Sequence, residues 1–260
     1  MTPPGGPDPW HALRRFTAAR IALGRAGASL PTREVLAFGL AHAQARDAVH
    51  HPLDRGALEA ALAAAGLPPA IAVHSAAPDR AHYLRRPDLG RRLDEASRER
   101  LAAASGTAPD VALVVADGLS AWAAERHAVP VIIALRPLLA GWRIGPLVVA
   151  EQARVALGDE IGAILGARQL VMLIGERPGL SSPDSLGLYL THGPRPGRTD
   201  AERNCISNVR PEGLACELAA ARLAHLLAGA RALGSSGVAL KDESAPVPVR
   251  AAKPPALDRK

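Results

Sequence analysis

A carboxylate placed between an apolar run and a rigid turn is positioned to meet a ligand, and Glu176 stands in such a place, after LVMLIG and before Pro178-Gly179. It can accept hydrogen bonds from ligand amides or form an ion pair with Arg177. A second polar step, Asp117-Gly118-Leu119-Ser120, follows VALVVA, and here Asp117 or Ser120 is expected to cap the next helix while its backbone N–H groups face the same rim. A third rim is expected at Arg136-Pro137. Cys205 lies in RNCISN, read as a loop whose Ser207 and Asn208 cap a final helix over residues 211–233. His192, in THGP, is a candidate polar contact, and Val155, at the start of a helix or in the turn before it, offers apolar and backbone contact. A lone valine is by default a core residue.

These residues do not form a self-contained catalytic set. A cysteine nucleophile wants an adjacent base and a zinc site wants paired Cys or His ligands, but the nine histidines show neither H-E-x-x-H nor a Cys/His cluster. No G-x-G-x-x-G follows a strand and no P-loop is present.

The elements that must position the rim follow from the pattern. Short apolar runs at 111–115, 129–135, 147–149, 170–174 and 186–189 alternate with helical segments. That rhythm predicts an α/β, doubly wound, mostly parallel Rossmann-like sheet, with its ligand crevice beyond the carboxyl ends of the strands. Residues 1–105 read as a mainly helical region, with helices over 12–23, from Arg33 with Thr32 as its cap, and over 58–65 ending at Gly66. Residues 106–242 form the sheet domain, and the Pro/Ala-rich tail 243–260 reads as disordered. Gly158, Gly162 and Gly166, four apart, mark a closely packed helix face.

Composition narrows the function classes. A chain of 260 residues with 48% hydrophobic content can bury a large core. No apolar run is long enough to span a bilayer and no secretory leader is evident, so the expected location is cytoplasmic. The net charge of +6 comes mostly from scattered arginine, and with 3% aromatics the chain lacks the clustered basic face and stacking platforms of a nucleic-acid binder. Arg14, Arg15, Arg20 and Arg25 form either a solvated helix face or a surface that docks on acidic groups.

The wording of several segments is specific. IGERPGL, SLGLYLTHGPRPGRT, ERNCISN and RPEG, preceded in order by PWHALRRFTAARIALGRAG, LPTREVLAFGLAHAQARDAVH, YLRRPDLGRRL and VVADGLSAWA, resemble the small (light) subunit of ethanolamine ammonia-lyase over nearly the whole chain. The resemblance implies a lyase subunit that acts only with a large subunit, whose barrel holds ethanolamine, and that covers part of an adenosylcobalamin bound between the two chains. Radical conversion of ethanolamine to acetaldehyde and ammonia is then the cofactor's chemistry. By motif, the cobalamin contacts implied are Val155, Glu176 and Cys205. No D-x-H-x-x-G run occurs, so the resemblance also implies that the cofactor keeps its dimethylbenzimidazole on cobalt. Some relatives carry a longer N-terminal extension linked to a bacterial microcompartment; this chain starts with MTPPGGPDPW, which leaves the cytoplasm and the microcompartment as alternative locations. A free-standing α/β enzyme using Asp117, Glu176 or Cys205 directly, and a scaffold without ligand contacts, are the competing readings.

Overall fold

The computed structural model describes residues 9–17 and 19–244. In chain order, a 3-10 helix (Pro9–Phe16) leads to α1 (Thr32–His50), α2 (Arg55–Ala64), β1 (Ile71–His74), α3 (Arg80–Arg85), α4 (Glu95–Ala103), β2 (Val111–Ala116) and α5 (Ala121–Leu135). There follow β3 (Ile144–Glu151), α6 (Leu157–Ile164), β4 (Gln169–Gly175), β5 (Leu186–His192), β6 (Arg203–Val209) and α7 (Cys216–Leu233). The six strands form one sheet in the order β1-β3-β2-β4-β5-β6. The first four are mutually parallel, whereas β5 and β6 are added antiparallel.

Alternation along β2 shows how the sheet is covered. Val111, Leu113 and Val115 enter an apolar layer with α2, α5 and α7, while Ala112, Val114 and Ala116 enter a second layer with α4 and α6. Both faces are covered, so the central strands read as continuous hydrophobic runs rather than as alternating ones. Gly162 on α6 lets the helix sit on the sheet, since a Cβ there would meet Pro194 at 2.4 Å and Leu170 at 3.2 Å.

Several expectations need correction. Residues 129–135 are not a strand but the second half of α5; the β-branched run is buried against the sheet and α7, and this packing overrides the local propensity even with Pro130 inside the helix. Arg136-Pro137 therefore ends a helix rather than a strand. Residues 203–209 are not a loop but edge strand β6, whose Cys205, Ser207 and Asn208 are exposed while Arg203, Ile206 and Val209 are buried. Ser207 and Asn208 lie on it and cap nothing, and α7 starts at Cys216 instead of residue 211.

The first helix is also shorter than the sequence suggests. It is a 3-10 helix that ends at Phe16. Thr32 is the first residue of α1, after Pro31, and makes no capping bond. The helical region before residue 106 also contains β1, which pairs with β3, so the sheet draws on both sides of that position. Apart from residues 243 and 244, the tail lies outside the described residues.

Two histidines make the fold sensitive to acid. Burial pushes His127 and His192 below the usual imidazole value, opposed at His127 by Asp184 3.7 Å away and assisted at His192 by Arg198. A depressed histidine contributes stability that is complete above its unfolded pKa of about 6.5 and is lost as pH falls below it. Urea midpoints should therefore drop between about pH 7.5 and 5.5, above the carboxylate range, and His127→Gln with His192→Gln should flatten the profile. A midpoint that is constant or rises over that interval would remove both groups from the account.

Candidate functional site

The rim is built backbone against backbone. After β2 the chain turns at Gly118, φ 55°, and Leu119 N–H donates to the Gly175 carbonyl at 2.9 Å. A Cβ on Gly118 would lie 2.1 Å from that carbonyl, and one on Gly175 would lie 2.0 Å from the Ser120 carbonyl, so only glycine fits on either side. Ser120 occupies the position before α5 but its hydroxyl donates to the Pro183 carbonyl at 2.8 Å, fastening the β4–β5 loop instead of capping the helix.

Asp117 is no cap either. Its carboxylate accepts from the N–H groups of Gln152 (2.9 Å) and Ala153 (3.0 Å) in the turn after β3, and from Arg80 Nη1 at 3.0 Å. Burial pushes its carboxyl upward while Arg80 and the two amides draw it back. It is a clamp between β2, α3 and the turn that carries Val155.

Glu176 is half-buried directly beyond β4, as the sequence implies, but its partners are new. One carboxylate oxygen accepts from Ser185 Oγ and from Asn208 N–H at 3.1 Å; the other accepts from Ser207 Oγ at 2.7 Å. Among the described residues it makes no ion pair with Arg177. Three donors use most of its acceptor capacity and leave a lone-pair direction open at the rim.

Cys205, exposed on β6, sits opposite Tyr189 of β5 with its Sγ 3.5 Å from Ser207 Oγ. Ser207 thus joins Cys205 to Glu176. Burial and the neighbouring Cys205 push the Tyr189 hydroxyl well above its usual range, so it remains a neutral donor.

Val155 lies in the turn before α6 and, like Tyr189, packs on the α4/α6 layer. Val155 and Tyr189, the strand neighbour of Cys205, therefore pack on one layer of the sheet. Val155 also lines a cavity of about 760 Å³ with Arg91, Arg92, Arg98, Arg154, Arg198 and Arg203; neither Glu176 nor Cys205 reaches it. The Arg154 Nε there is buried without a hydrogen-bond partner. His192 lies elsewhere: it pairs with Gln169 at the opposite end of β4 from Glu176.

Of the groups that orient Glu176, Ser185 is missed in the sequence, and Ser207 and Asn208 are read there only as helix caps. The one available signal is the alternation in NCISN, which turns Cys205 and Ser207 to the same side once it is read as a strand.

The family of the ethanolamine ammonia-lyase light chain (EutC) matches residues 7–241. The chain belongs to this family. An ethanolamine ammonia-lyase small subunit of Ralstonia nicotianae is 60% identical over 247 residues, covering 93% of this chain and 91% of the relative. Its counterpart in Azotobacter vinelandii is 57% identical over 246 residues, with 93% and 91% covered. One from Pseudomonas aeruginosa is 57% identical over 242 residues, with 91% and 88% covered. The light-chain match takes in the N-terminal helices as well as the sheet, and Val155, Glu176 and Cys205 all fall within it.

Proposed function

We propose that the chain is the small subunit of an adenosylcobalamin-dependent ethanolamine ammonia-lyase. It acts only with the large subunit and contributes Val155, Glu176 and Cys205 to a cobalamin site closed between the two chains. The observation that carries this is the joining of Glu176 and Cys205 through Ser207 at the rim beyond β4. We read the helix-covered sheet as Rossmann-like and doubly wound, with residues 106–242 as the cobalamin-binding domain, 1–105 as its mainly helical companion and the tail from 243 as disordered.

The residues suit the cofactor. The corrin periphery carries amides, which donate to a carboxylate such as Glu176, and Val155 offers an apolar contact beside backbone carbonyls. Neither Glu176 nor Cys205 lines the cavity beside Val155. This reading therefore spreads the cofactor over an open face of the chain that the large subunit closes. Val155, Glu176 and Cys205 would hold and orient adenosylcobalamin, which would supply radical initiation when bound. No helix among the described residues is long and apolar enough to cross a membrane. Scattered arginines with few aromatics argue against nucleic acid. A cytoplasmic complex, free or inside a bacterial microcompartment, is the location this reading supports.

Mixing the purified chain with the large subunit and adenosylcobalamin should give turnover of ethanolamine that neither chain gives alone. In the same complex Glu176→Gln should raise the cobalamin dissociation constant about ten- to a hundredfold, the value of one charge-assisted hydrogen bond at roughly 1.5 to 3 kcal/mol. The fold should tolerate the change, because the amide oxygen can still accept from Ser185 and Asn208 while Ser207 turns to accept from the amide nitrogen. Equal dissociation constants would remove Glu176 from the site, and turnover by the isolated chain would overturn the reading.

A further inference from the structure

The cavity beside Val155 is lined by six arginines but only three carboxylates, Asp159, Glu160 and Asp200. Four of the arginines have a counter-charge. Arg203 is paired with Asp159, Arg98 with Glu95 and Glu160, and Arg198 with Glu202, while Arg92 lies 3.8 Å from Asp88. Arg91 and Arg154 have none: among the described residues neither has a carboxylate within ion-pair distance, and the exposed Arg91 makes no hydrogen bond. Arg154 is the costlier of the two. Its N–H donates to the Gly90 carbonyl at 2.8 Å, a Cβ on Gly90 would lie 2.9 Å from its Cγ, and its guanidinium lies 4.3 Å from the centre of the Tyr83 ring. Tyr83 is fully buried and its hydroxyl donates to the Ala153 carbonyl at 2.9 Å, so the guanidinium rests on a fixed plate. The Arg80 guanidinium lies 4.8 Å from the same ring, but Arg80 has Asp117 as its counter-charge. Arg154 has only the Tyr83 carbonyl, 3.4 Å from its Nη2, and its Nε is buried without a hydrogen bond. A guanidinium held still, partly dehydrated and unpaired costs stability until an anion completes it.

Further donors line the same cavity. The Arg203 side chain is 2% exposed and its Nε has no hydrogen bond, although Asp200 Oδ1 lies 3.6 Å away. α6 starts without a side-chain cap, and the N–H groups of Val155 and Ala156 in the turn before it donate to nothing among the described residues. Asp159 and Glu160 stand in the first turn of that helix, yet both are already engaged, Asp159 by Arg203 and Glu160 by Arg98 and the Leu93 N–H. The unanswered charge is therefore positive. A guanidinium fork matches carboxylate and phosphate alike, but a phosphoryl group has more oxygens with which to meet two arginines and backbone amides together. At about 760 Å³ the cavity has the size of a small-molecule site, far more than a phosphate group fills, so the group is carried on an organic body.

We propose that this cavity binds a phosphate ester, with Arg154 as its principal donor and Arg91 as the second cation. Two sources share that chemistry: the phosphodiester in the nucleotide loop of cobalamin, which rests on the function proposed above, and a free phosphate ester, which does not. Equilibrium dialysis with radiolabelled inorganic phosphate measures binding by the full chain and by its complex with the large subunit, with and without cobalamin. Arg154→Met, which keeps an apolar stem on Tyr83, should weaken phosphate binding at least about tenfold. Arg91→Gln, exposed and with no contact to lose, should weaken it about threefold or more without touching the fold. Arg136→Gln, outside the cavity, should change nothing. If the cofactor is the source, bound cobalamin excludes phosphate, and Arg154→Met weakens binding of cobalamin but not of cobinamide, which keeps the corrin amides and lacks the nucleotide loop. If a free ester is the source, the cobalamin-loaded complex still binds phosphate and Arg154→Met leaves cobalamin affinity unchanged. Phosphate binding that ignores both cavity variants, or falls equally in Arg136→Gln, would overturn the proposal. So would the absence of phosphate binding together with cobalamin affinity that Arg154→Met leaves unchanged or lowers equally for cobinamide. A complex that binds phosphate as expected but no cobalamin would sink the functional reading alone.

Discussion

Arg203→Leu should destabilise the fold by about 3 to 5 kcal/mol, the cost of breaking a buried ion pair by removing one partner. Arg203 and Asp159 are paired through two bonds, Nη1 to Oδ1 and Nη2 to Oδ2, each 2.7 Å, with side chains 2% and 3% exposed. The same guanidinium donates to Thr191 Oγ1 at 2.8 Å and to the Arg198 carbonyl at 3.0 Å. Leucine would leave Asp159 charged and without its partner on α6, with two further acceptors unsatisfied. Because the pair binds α6 to β5 and β6, its loss should also disturb Val155, which precedes α6, and so, if the proposed function holds, weaken cobalamin binding by the complex. Arg203→Leu combined with Asp159→Leu should recover most of the stability, since an apolar pair of similar volume avoids the orphaned charge. Urea titrations of the two single variants and the double variant decide it; a loss below about 1 kcal/mol for Arg203→Leu would mean that the carboxylate finds water or another cation.

How much of this was legible in the sequence depends on what each segment touches. β2 and β4 read as strands because both of their faces are buried, which leaves an unbroken apolar run in the chain. α5 was lost for the same reason: a helix buried on most sides shows no 3.6 period, and its Val, Ile and Pro residues mimic a strand. β6 was lost for the opposite reason, being an exposed edge whose polar residues resemble a loop. The antiparallel addition of β5 and β6 depends on pairing between distant segments, for which a single sequence offers no periodicity.

The candidate site divides along the same line. Glu176 was placed at the rim by the run before it, yet its donors come from residues 185, 207 and 208, and only the fold brings those together. The motif resemblance supplied Val155 and Cys205, whose own chemistry is bland. It supplied nothing about Asp117, where the local Asp-Gly signal suggested a cap and the tertiary structure made a clamp.

That clamp carries the second large effect. Asp117→Asn should cost about 3 to 5 kcal/mol although it changes one atom. All three donors to Asp117, the amides of Gln152 and Ala153 and Arg80 Nη1, require an acceptor, and the carboxylate serves them from both oxygens. An asparagine must turn its own N–H groups toward at least one of them, and a buried donor left facing a donor loses its hydrogen bond with no water to replace it. The guanidinium of Arg80, buried between the Tyr83 ring and Gly118, also loses its counter-charge. Gln152 adds to the effect: its φ of 53° lies in the left-handed region, a conformation that a non-glycine residue keeps only when its surroundings hold it. Without the clamp that turn should relax, Val155 should move with it, and the end of α1 should loosen because Arg80 also holds the Val49 carbonyl. Hydrogen exchange at the Gln152 and Ala153 amides should therefore accelerate together with the fall in urea midpoint. Wild-type exchange at those two amides, or a stability loss under about 1 kcal/mol, would show that the clamp does not hold the rim.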